Sequence, residues 1–233
     1  MSNQFIVIVL VFFSFINVIL VSSDTTSDLH GYILVLQWPN TTCFMKNTKF
    51  SKNVMYPRSF GIHGLRPINS IFTKPKETSK FHYPKSGLQC PRAIPQDLPI
   101  YWPNILKGDN TVFWAHEWES HGRYSGLEIC AYFIKTLSLY KKLNTLKLVE
   151  ALATSSKHVV LGSSYDLPIL SAAFKETLGD GKNDITIKCA KIGISYYLWE
   201  VHVYVNTTFS LVNSPKLSEG CLKGEDIIFP SPL

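Results

Sequence analysis

Strand patterns lie towards the two ends of this chain and helical patterns lie between them, and this separation constrains the fold more than any other feature of the sequence. The strand patterns cover residues 32–38, 59–65, 185–190 and 196–205. The helical patterns cover residues 110–121, 127–153 and 166–178. Helices and strands that do not alternate along a chain are typical of an α+β fold rather than of repeated βαβ units. We therefore predict an α+β fold.

The first 23 residues have the pattern of a secretory signal peptide. Residues 5–13 are uninterrupted apolar residues, and no charged side chain precedes Asp24. The apolar stretch is shorter than the roughly 20 residues that span a bilayer, and small residues precede a cleavage point after Ser23. We predict a signal peptide over residues 1–23, a single domain over residues 24–233, and a secreted, extracellular protein with no membrane association after cleavage. A retained membrane anchor is the alternative.

Other features agree with export. The sequons at Asn40 and Asn206 predict N-glycosylation. All five cysteines follow the apolar segment, and an oxidising compartment favours disulfides, with one thiol left over from an odd count. The cysteine spacing by itself leaves the pairing open.

The positive charge of the chain is concentrated in one stretch. The whole chain has a net charge of +6 and 17% charged residues, whereas residues 46–107 hold eleven Lys or Arg against two acidic residues, which is +9. A localised positive field attracts polyanions and accelerates encounter with them. A solvated basic face that only aids solubility is the alternative.

Two short segments concentrate the residues that could carry chemistry: FGIHGLRP at 60–67 and FWAHEWESHG at 113–122. On a helix, Glu117 and His121 are four residues apart and share a face, whereas His116 and His121 diverge by about 140°. A zinc-protease motif places its two histidines at i and i+4, so this spacing argues against a metal site. Two imidazoles with a carboxylate suit acid–base catalysis instead, with His63 and His121 as the pair.

These two segments resemble the signatures of the ribonuclease T2 family, FTIHGLWP and FWxHEWxKHGTC. The opening strand LQWPNTTC and the tail from IKC through EVHVYVN to IIFP also follow the family pattern. The resemblance implies an α+β fold with a central antiparallel sheet packed against several helices, and metal-free cleavage of single-stranded RNA through a 2′,3′-cyclic phosphate. It implies no cofactor.

The resemblance also assigns roles to individual residues. His121 would remove the proton of the ribose 2′-OH, and His63 would protonate the departing 5′-oxygen. Glu117 would help to stabilise the transition state or position a histidine. His116 would contact phosphate. The candidates for contact with a base are Gln37, Arg66 and Phe113.

Within the family, the basic composition, with a pI near 9.0, and the signal sequence are most like the self-incompatibility ribonucleases of flowering-plant pistils. That subfamily implies a cytotoxic monomer with RNA as substrate and pollen F-box proteins as partners. The alternative is a catalytically weak or inactive binding or defence glycoprotein with the ribonuclease fold.

The sequence departs from the family pattern at several positions. Arg66 replaces a base-stacking Trp, and Ser120 replaces a Lys that offsets charge in the transition state, so we predict a reduced activity unless a nearby Lys or Arg123 compensates. Tyr124 replaces a Cys. The pairings that the resemblance then implies are Cys189–Cys221 and Cys90–Cys130, with Cys43 as the leftover thiol.

Overall fold

The structure is a computed structural model that describes residues 28–49, 58–88, 90, 94–178, 181, 183–214 and 218–232. The predicted signal peptide lies outside the described residues. Within the described ranges, no helix is both long enough and apolar enough to cross a bilayer.

Seven strands form one sheet in this part of the chain. They are β1 (Leu29–Gln37), β2 (Gly61–Asn69), β3 (Ser164–Tyr165), β4 (Thr186–Ile192), β5 (Ser195–Asn206), β6 (Ser218–Glu219) and β7 (Ile227–Ile228). The main path runs β2-β1-β5-β4-β6, and β7 joins β5 to β3. The four long strands pair antiparallel, and the short strands β6 and β7 add parallel pairs at the periphery. This confirms the predicted α+β fold with a central antiparallel sheet.

Six α-helices accompany the sheet in the described residues. They are α1 (Pro39–Met45), α2 (Ile94–Tyr101), α3 (Asn110–Ser120), α4 (Ile129–Lys142), α5 (Leu148–Thr154) and α6 (Leu167–Leu178). The helix predicted over residues 110–121 is present, and the side chain of Asp109 caps it by accepting a hydrogen bond of 2.8 Å from the amide of Thr111. Helix α2 was not predicted, because its two prolines lie in a stretch that reads as irregular.

Strand β2 lies at the edge of the sheet, and aromatic side chains cover its open side. The hydroxyl of Tyr140 donates to the carbonyl of Phe60 at 2.7 Å, and that of Tyr132 donates to Leu65 at 3.0 Å. Between them, the indole of Trp102 donates to the carbonyl of His63 at 2.8 Å. Edge carbonyls that are buried need such partners. The segment that carries His63 is therefore fixed from both sides.

Both disulfides implied by the resemblance are present. Cys90 is bonded to Cys130 and Cys189 to Cys221. Cys43 is the free cysteine and is buried, as predicted, and burial raises the pKa of its thiol to about 11. The unpaired thiol is therefore protonated and inaccessible at neutral pH.

The two sequons differ in their surroundings. Asn40 lies fully buried in α1, and its Nδ2 donates a hydrogen bond to the carbonyl of Ser231. A glycan is attached through that nitrogen, so the glycan on Asn40, which stays a prediction, would require this hydrogen bond to open. Asn206 lies half-buried at the end of β5, where its Oδ1 accepts from the amide of Thr208 at 3.0 Å and of Ser210 at 2.9 Å. A glycan on Asn206 stays a prediction.

Candidate active site

His63 occupies a bulge in β2. On β1, Val35 pairs with Gly64 and Leu36 pairs with Ile62. His63, between Ile62 and Gly64, is therefore the extra residue in the ladder. A bulge of this kind re-aims a side chain relative to a regular strand. The His63 side chain is 26% exposed and extends past β1 to reach Glu200 on β5, the next strand but one.

Glu200 joins two histidines. Its side chain is 1% exposed, and its Oε1 lies 2.6 Å from Nδ1 of His63. Its Oε2 lies 2.8 Å from Nε2 of His202, which is also buried. Burial by itself would raise the pKa of Glu200, but the hydrogen bonds from His202 and His63 outweigh it and hold that pKa well below the usual range. The carboxylate is therefore ionised, and it fixes Nδ1–H of His63 toward itself.

Glu117 lies above the strand, directly over Gly64. A Cβ added to Gly64 would come within 2.1 Å of the Glu117 Oε2, so a side chain at this position would displace that carboxyl, whereas the His121 ring, at 4.0 Å, would be in ordinary contact. The Glu117 Oε2 is buried without a hydrogen-bond partner. Burial raises the pKa of Glu117 to about 7, although the positive charges of His63 and Arg66 oppose this effect. Near neutral pH a large fraction of Glu117 is thus uncharged and able to donate a hydrogen bond.

His121 ends helix α3. It is the C-cap residue, and its amide donates to the carbonyl of Glu117 at 2.9 Å. Burial is the main cause that lowers the pKa of the His121 ring to about 3, and the neighbouring positive charges, of which Arg66 has the largest effect, contribute to the same lowering. His121 is therefore neutral at physiological pH. A neutral ring can accept a proton, whereas Nδ1 of His63 is bonded to the carboxylate of Glu200.

The other predicted site residues have different positions. The Phe113 ring stacks on that of His63, with centroids 6.2 Å apart and an angle of 27°, and His116 is exposed on α3. Arg66 is half-buried, and its Nε has no hydrogen-bond partner. Gln37 is 4% exposed and its Nε2 donates to the carbonyl of Ile62 at 3.4 Å, so contact with a base would require this bond to open.

Arg123 is fully engaged elsewhere. It pairs with Glu77 and, at 3.0 Å, with Glu119, and its Nε donates to the carbonyl of Ser79 at 3.1 Å. Its side chain is 16% exposed. The charge of Arg123 is thus balanced by two carboxylates, and this residue is wrong as the substitute for the missing lysine at Ser120.

Sequence reasoning missed Glu200 and His202 as parts of this site. The available signal was an acid and an imidazole two residues apart on one strand, which places them on the same face. Both faces of β5 are buried from Glu200 to Val205. A buried acid beside a buried histidine needs a partner, and this requirement would have pointed to a paired site.

Comparisons with known proteins agree with the fold and the motifs. The family model described as "Ribonuclease T2 family" matches residues 30–214. Ribonuclease S-2 of Antirrhinum hispanicum is 32% identical over 139 residues, which cover 55% of this chain and 56% of that protein. The chain therefore spans little more than half of this relative. Ribonuclease 3 of Arabidopsis thaliana is 28% identical over 83% of this chain and 86% of the relative.

Solved structures show the same fold. The gametophytic self-incompatibility associated SF11-RNase of Nicotiana alata matches with a TM-score of 0.69 at 22% identity, over 87% of this chain and 100% of that chain. Ribonuclease MC1 from bitter gourd seeds matches with a TM-score of 0.66 at 22% identity, over 86% of this chain and 100% of that chain. With both catalytic-type segments inside the matched region, the chain belongs to the ribonuclease T2 family.

Proposed function

We propose that this protein is a secreted endoribonuclease that cleaves single-stranded RNA by transphosphorylation without a metal. The observation that carries the proposal is the pair of histidines in opposite electrostatic settings. His121 is held neutral, and His63 is paired with the buried carboxylate of Glu200. A general base and a general acid at one site require this separation.

In this reaction His121 accepts the proton of the ribose 2′-OH while the 2′-oxygen attacks phosphorus. The P–O2′ bond forms and the P–O5′ bond breaks. Because Nδ1 of His63 is bonded to Glu200, its Nε2–H gives the proton to the departing 5′-oxygen. The products are a 2′,3′-cyclic phosphate and a 5′-hydroxyl, and water can then open the cyclic phosphate with the two histidines in exchanged roles. DNA lacks the nucleophile and is not a substrate.

Two unsatisfied polar atoms support a phosphate between the histidines. Arg66 Nε and Glu117 Oε2 are both buried without a partner. Buried polar atoms without partners are rare and call for an explanation. A phosphate oxygen could accept a hydrogen bond from the guanidinium and from the protonated carboxyl, so a bound phosphodiester would satisfy both. Donors placed to meet developing charge can contribute about 10²- to 10³-fold to a rate.

The biological role that we propose is that of a pistil self-incompatibility ribonuclease with pollen F-box proteins as partners. The basic composition and the similarity to Ribonuclease S-2 of Antirrhinum hispanicum support this role. Loss of pollen rejection in plants that lack the protein would be the expected result, and unchanged rejection would contradict it.

The test of the enzymatic proposal is cleavage of a single-stranded RNA by the purified protein in the presence of EDTA. We expect the wild-type protein to release 2′,3′-cyclic phosphate ends, and the His63→Ala and His121→Ala variants to lose at least about 10³-fold of the rate. Circular dichroism of each variant controls for folding. A folded His63→Ala or His121→Ala protein that cleaves RNA as fast as the wild type would overturn the assignment, and a wild-type protein that binds RNA without cleaving it would favour the binding-protein alternative.

A further inference from the structure

A basic segment packs along the 3-10 turn that follows His121. The amides of Thr78 and Ser79 both donate to the carbonyl of Arg123 at 2.9 Å, and the Thr78 hydroxyl donates to the same carbonyl at 3.0 Å. In return, the amide of Gly126 donates to the Thr78 Oγ1 at 3.0 Å. These bonds fix the segment of residues 74–81 against the turn Gly122–Tyr124.

Lys74, at the start of this segment, is held by an aromatic ring. Its Nζ lies 3.9 Å from the centroid of the Tyr124 ring. The amide of Tyr124 in turn donates to the carbonyl of His121 at 3.0 Å, so the ring stands one 3-10 turn from the catalytic-type histidine. A cation over an aromatic face is attracted by the ring quadrupole, and this attraction localises an ammonium that would otherwise sample many rotamers.

The Lys74 ammonium also differs from the guanidinium of Arg123 in its freedom to bind an anion. Arg123 is 16% exposed and balanced by Glu77 and Glu119. Lys74 is exposed, and among the described residues no ion pair with a carboxylate involves it. One side of its ammonium meets the ring of Tyr124, and since an ammonium has three N–H donors, donors remain for an anion. The positive charge of Lys74 is among the charges that lower the pKa of the His121 ring.

We propose that Lys74, positioned by the Tyr124 ring, is a further catalytic residue that contacts the scissile phosphate beside His121 and stabilises the charge of the phosphorane. The inference rests on the proposed RNA cleavage. Attack by the 2′-oxygen places a second negative charge on the non-bridging oxygens of phosphorus. A fixed ammonium is worth more against that charge than against the singly charged ground state, so it raises kcat more than it lowers KM.

The first test compares two charge-removing variants of the same segment. Lys74→Met should lower kcat on single-stranded RNA by about 10- to 100-fold. Lys76→Met removes the same charge two residues away, from another exposed side chain, and should lower kcat by less than about 3-fold, because exposed charge pairs contribute little. Equal effects of the two substitutions would overturn the proposal and assign Lys74 to general attraction of RNA.

A second pair of variants tests the ring. Tyr124→Phe keeps the aromatic face and should keep most of the rate, whereas Tyr124→Leu should lower kcat by several-fold, on the order of the loss of one cation–π contact. A Tyr124→Phe variant as impaired as Tyr124→Leu would contradict positioning by the ring. All rates are measured well below the thermal transition of each variant, so that a loss of stability is not read as a loss of catalysis.

The pKa of His121 can be measured without RNA, and it reports the position of the Lys74 charge independently of catalysis. Removing the Lys74 charge should raise the pKa of His121 in an NMR titration of the folded protein, whereas Lys76→Met should not. If the wild-type protein fails to cleave RNA, the proposed function is wrong whatever Lys74 does. If the wild type cleaves RNA and Lys74→Met matches it in kcat, the inference about Lys74 alone is wrong.

Discussion

Glu200 offers the sharpest test of the proposed role of His63 as the acid. The substitution Glu200→Gln keeps the shape of the side chain and removes its negative charge. The carboxylate accepts from His63 at 2.6 Å and from His202 at 2.8 Å, and its side chain is 1% exposed. At such a site water cannot replace the lost interaction.

The magnitude follows from the hydrogen bond between His63 and Glu200. A hydrogen bond to a charged group contributes about 1.5–3 kcal/mol, so replacing the carboxylate with a neutral amide weakens the interaction that holds the His63 ring by about 2 kcal/mol. If the reaction needs this interaction in the transition state, the rate falls by about 30-fold.

A glutamine at position 200 also removes the symmetry of the carboxylate. Glu200 has two acceptor oxygens and serves two histidines, whereas a glutamine has one oxygen and one NH₂ group. One of the two rings must then offer a lone pair instead of an N–H. If that ring is His63, its neutral form carries the proton on Nε2 instead of Nδ1. The tautomer that Glu200 fixes is then lost. The loss of rate would then exceed the electrostatic part alone.

The assay is the initial rate of cleavage of a fluorogenic ribo-oligonucleotide from about pH 4 to about pH 9. Glu176→Gln is the matched control, because it removes the same charge from an exposed carboxylate on α6. The hydrogen bonds that this carboxylate accepts among the described residues come from the amide and the hydroxyl of Ser156. This control should leave the profile in place. A folded Glu200→Gln protein with the rate of the wild type across this pH range would refute the view that Glu200 positions His63 for proton transfer.

Three further predictions concern the residues around this centre. The pKa of Glu117 is raised from its ordinary value near 4.5 to about 7 in the folded protein, so the free energy of unfolding falls by on the order of 3 kcal/mol as the pH rises through this range. Glu117→Gln should remove this fall when unfolding by denaturant is measured at low and at high pH. An unchanged pH dependence would contradict the burial argument. Gly64→Ala puts a methyl group within 2.1 Å of the Glu117 Oε2, so it should displace that carboxyl and lower kcat by at least about 10-fold; a crystal structure of the variant with Glu117 in its original place would argue against this. Glycopeptide mass spectrometry should find a higher glycan occupancy on Asn206 than on Asn40, because the Nδ2 of Asn40 is bonded inside the fold, and equal occupancy of the two sites would contradict this expectation.

Much of the site was accessible from the two motif segments. Helical spacing placed Glu117 and His121 on one face of a helix, and the structure brings both side chains to Gly64. The resemblance supplied the pairing of cysteines, which spacing could not. Contacts across the sheet were not accessible, because they depend on strand order. Glu200 reaches His63 only because β5 and β2 flank β1.

The residues at the site that differ from the family pattern also show what the sequence gives and what depends on contacts in space. The sequence shows that Ser120 and Tyr124 depart from the family pattern, but it does not show which cation lies nearby. Arg123 is the closer candidate in sequence, and the structure commits it to Glu77 and Glu119. Lys74, far away in sequence, lies on the Tyr124 ring. Charge compensation depends on distance in space, and a chain reversal can bring a remote residue closer than a neighbour.

The sequence by itself determined the fold class, the helix that carries Glu117 and His121, and the imidazole pair, because periodicity and motif spacing are local properties of the chain. Only the tertiary structure decided the electrostatic roles of those imidazoles. The strand order puts a buried carboxylate against His63, and burial among positive charges keeps His121 neutral. Desolvation and charge proximity set these roles, and both arise only when distant segments pack together.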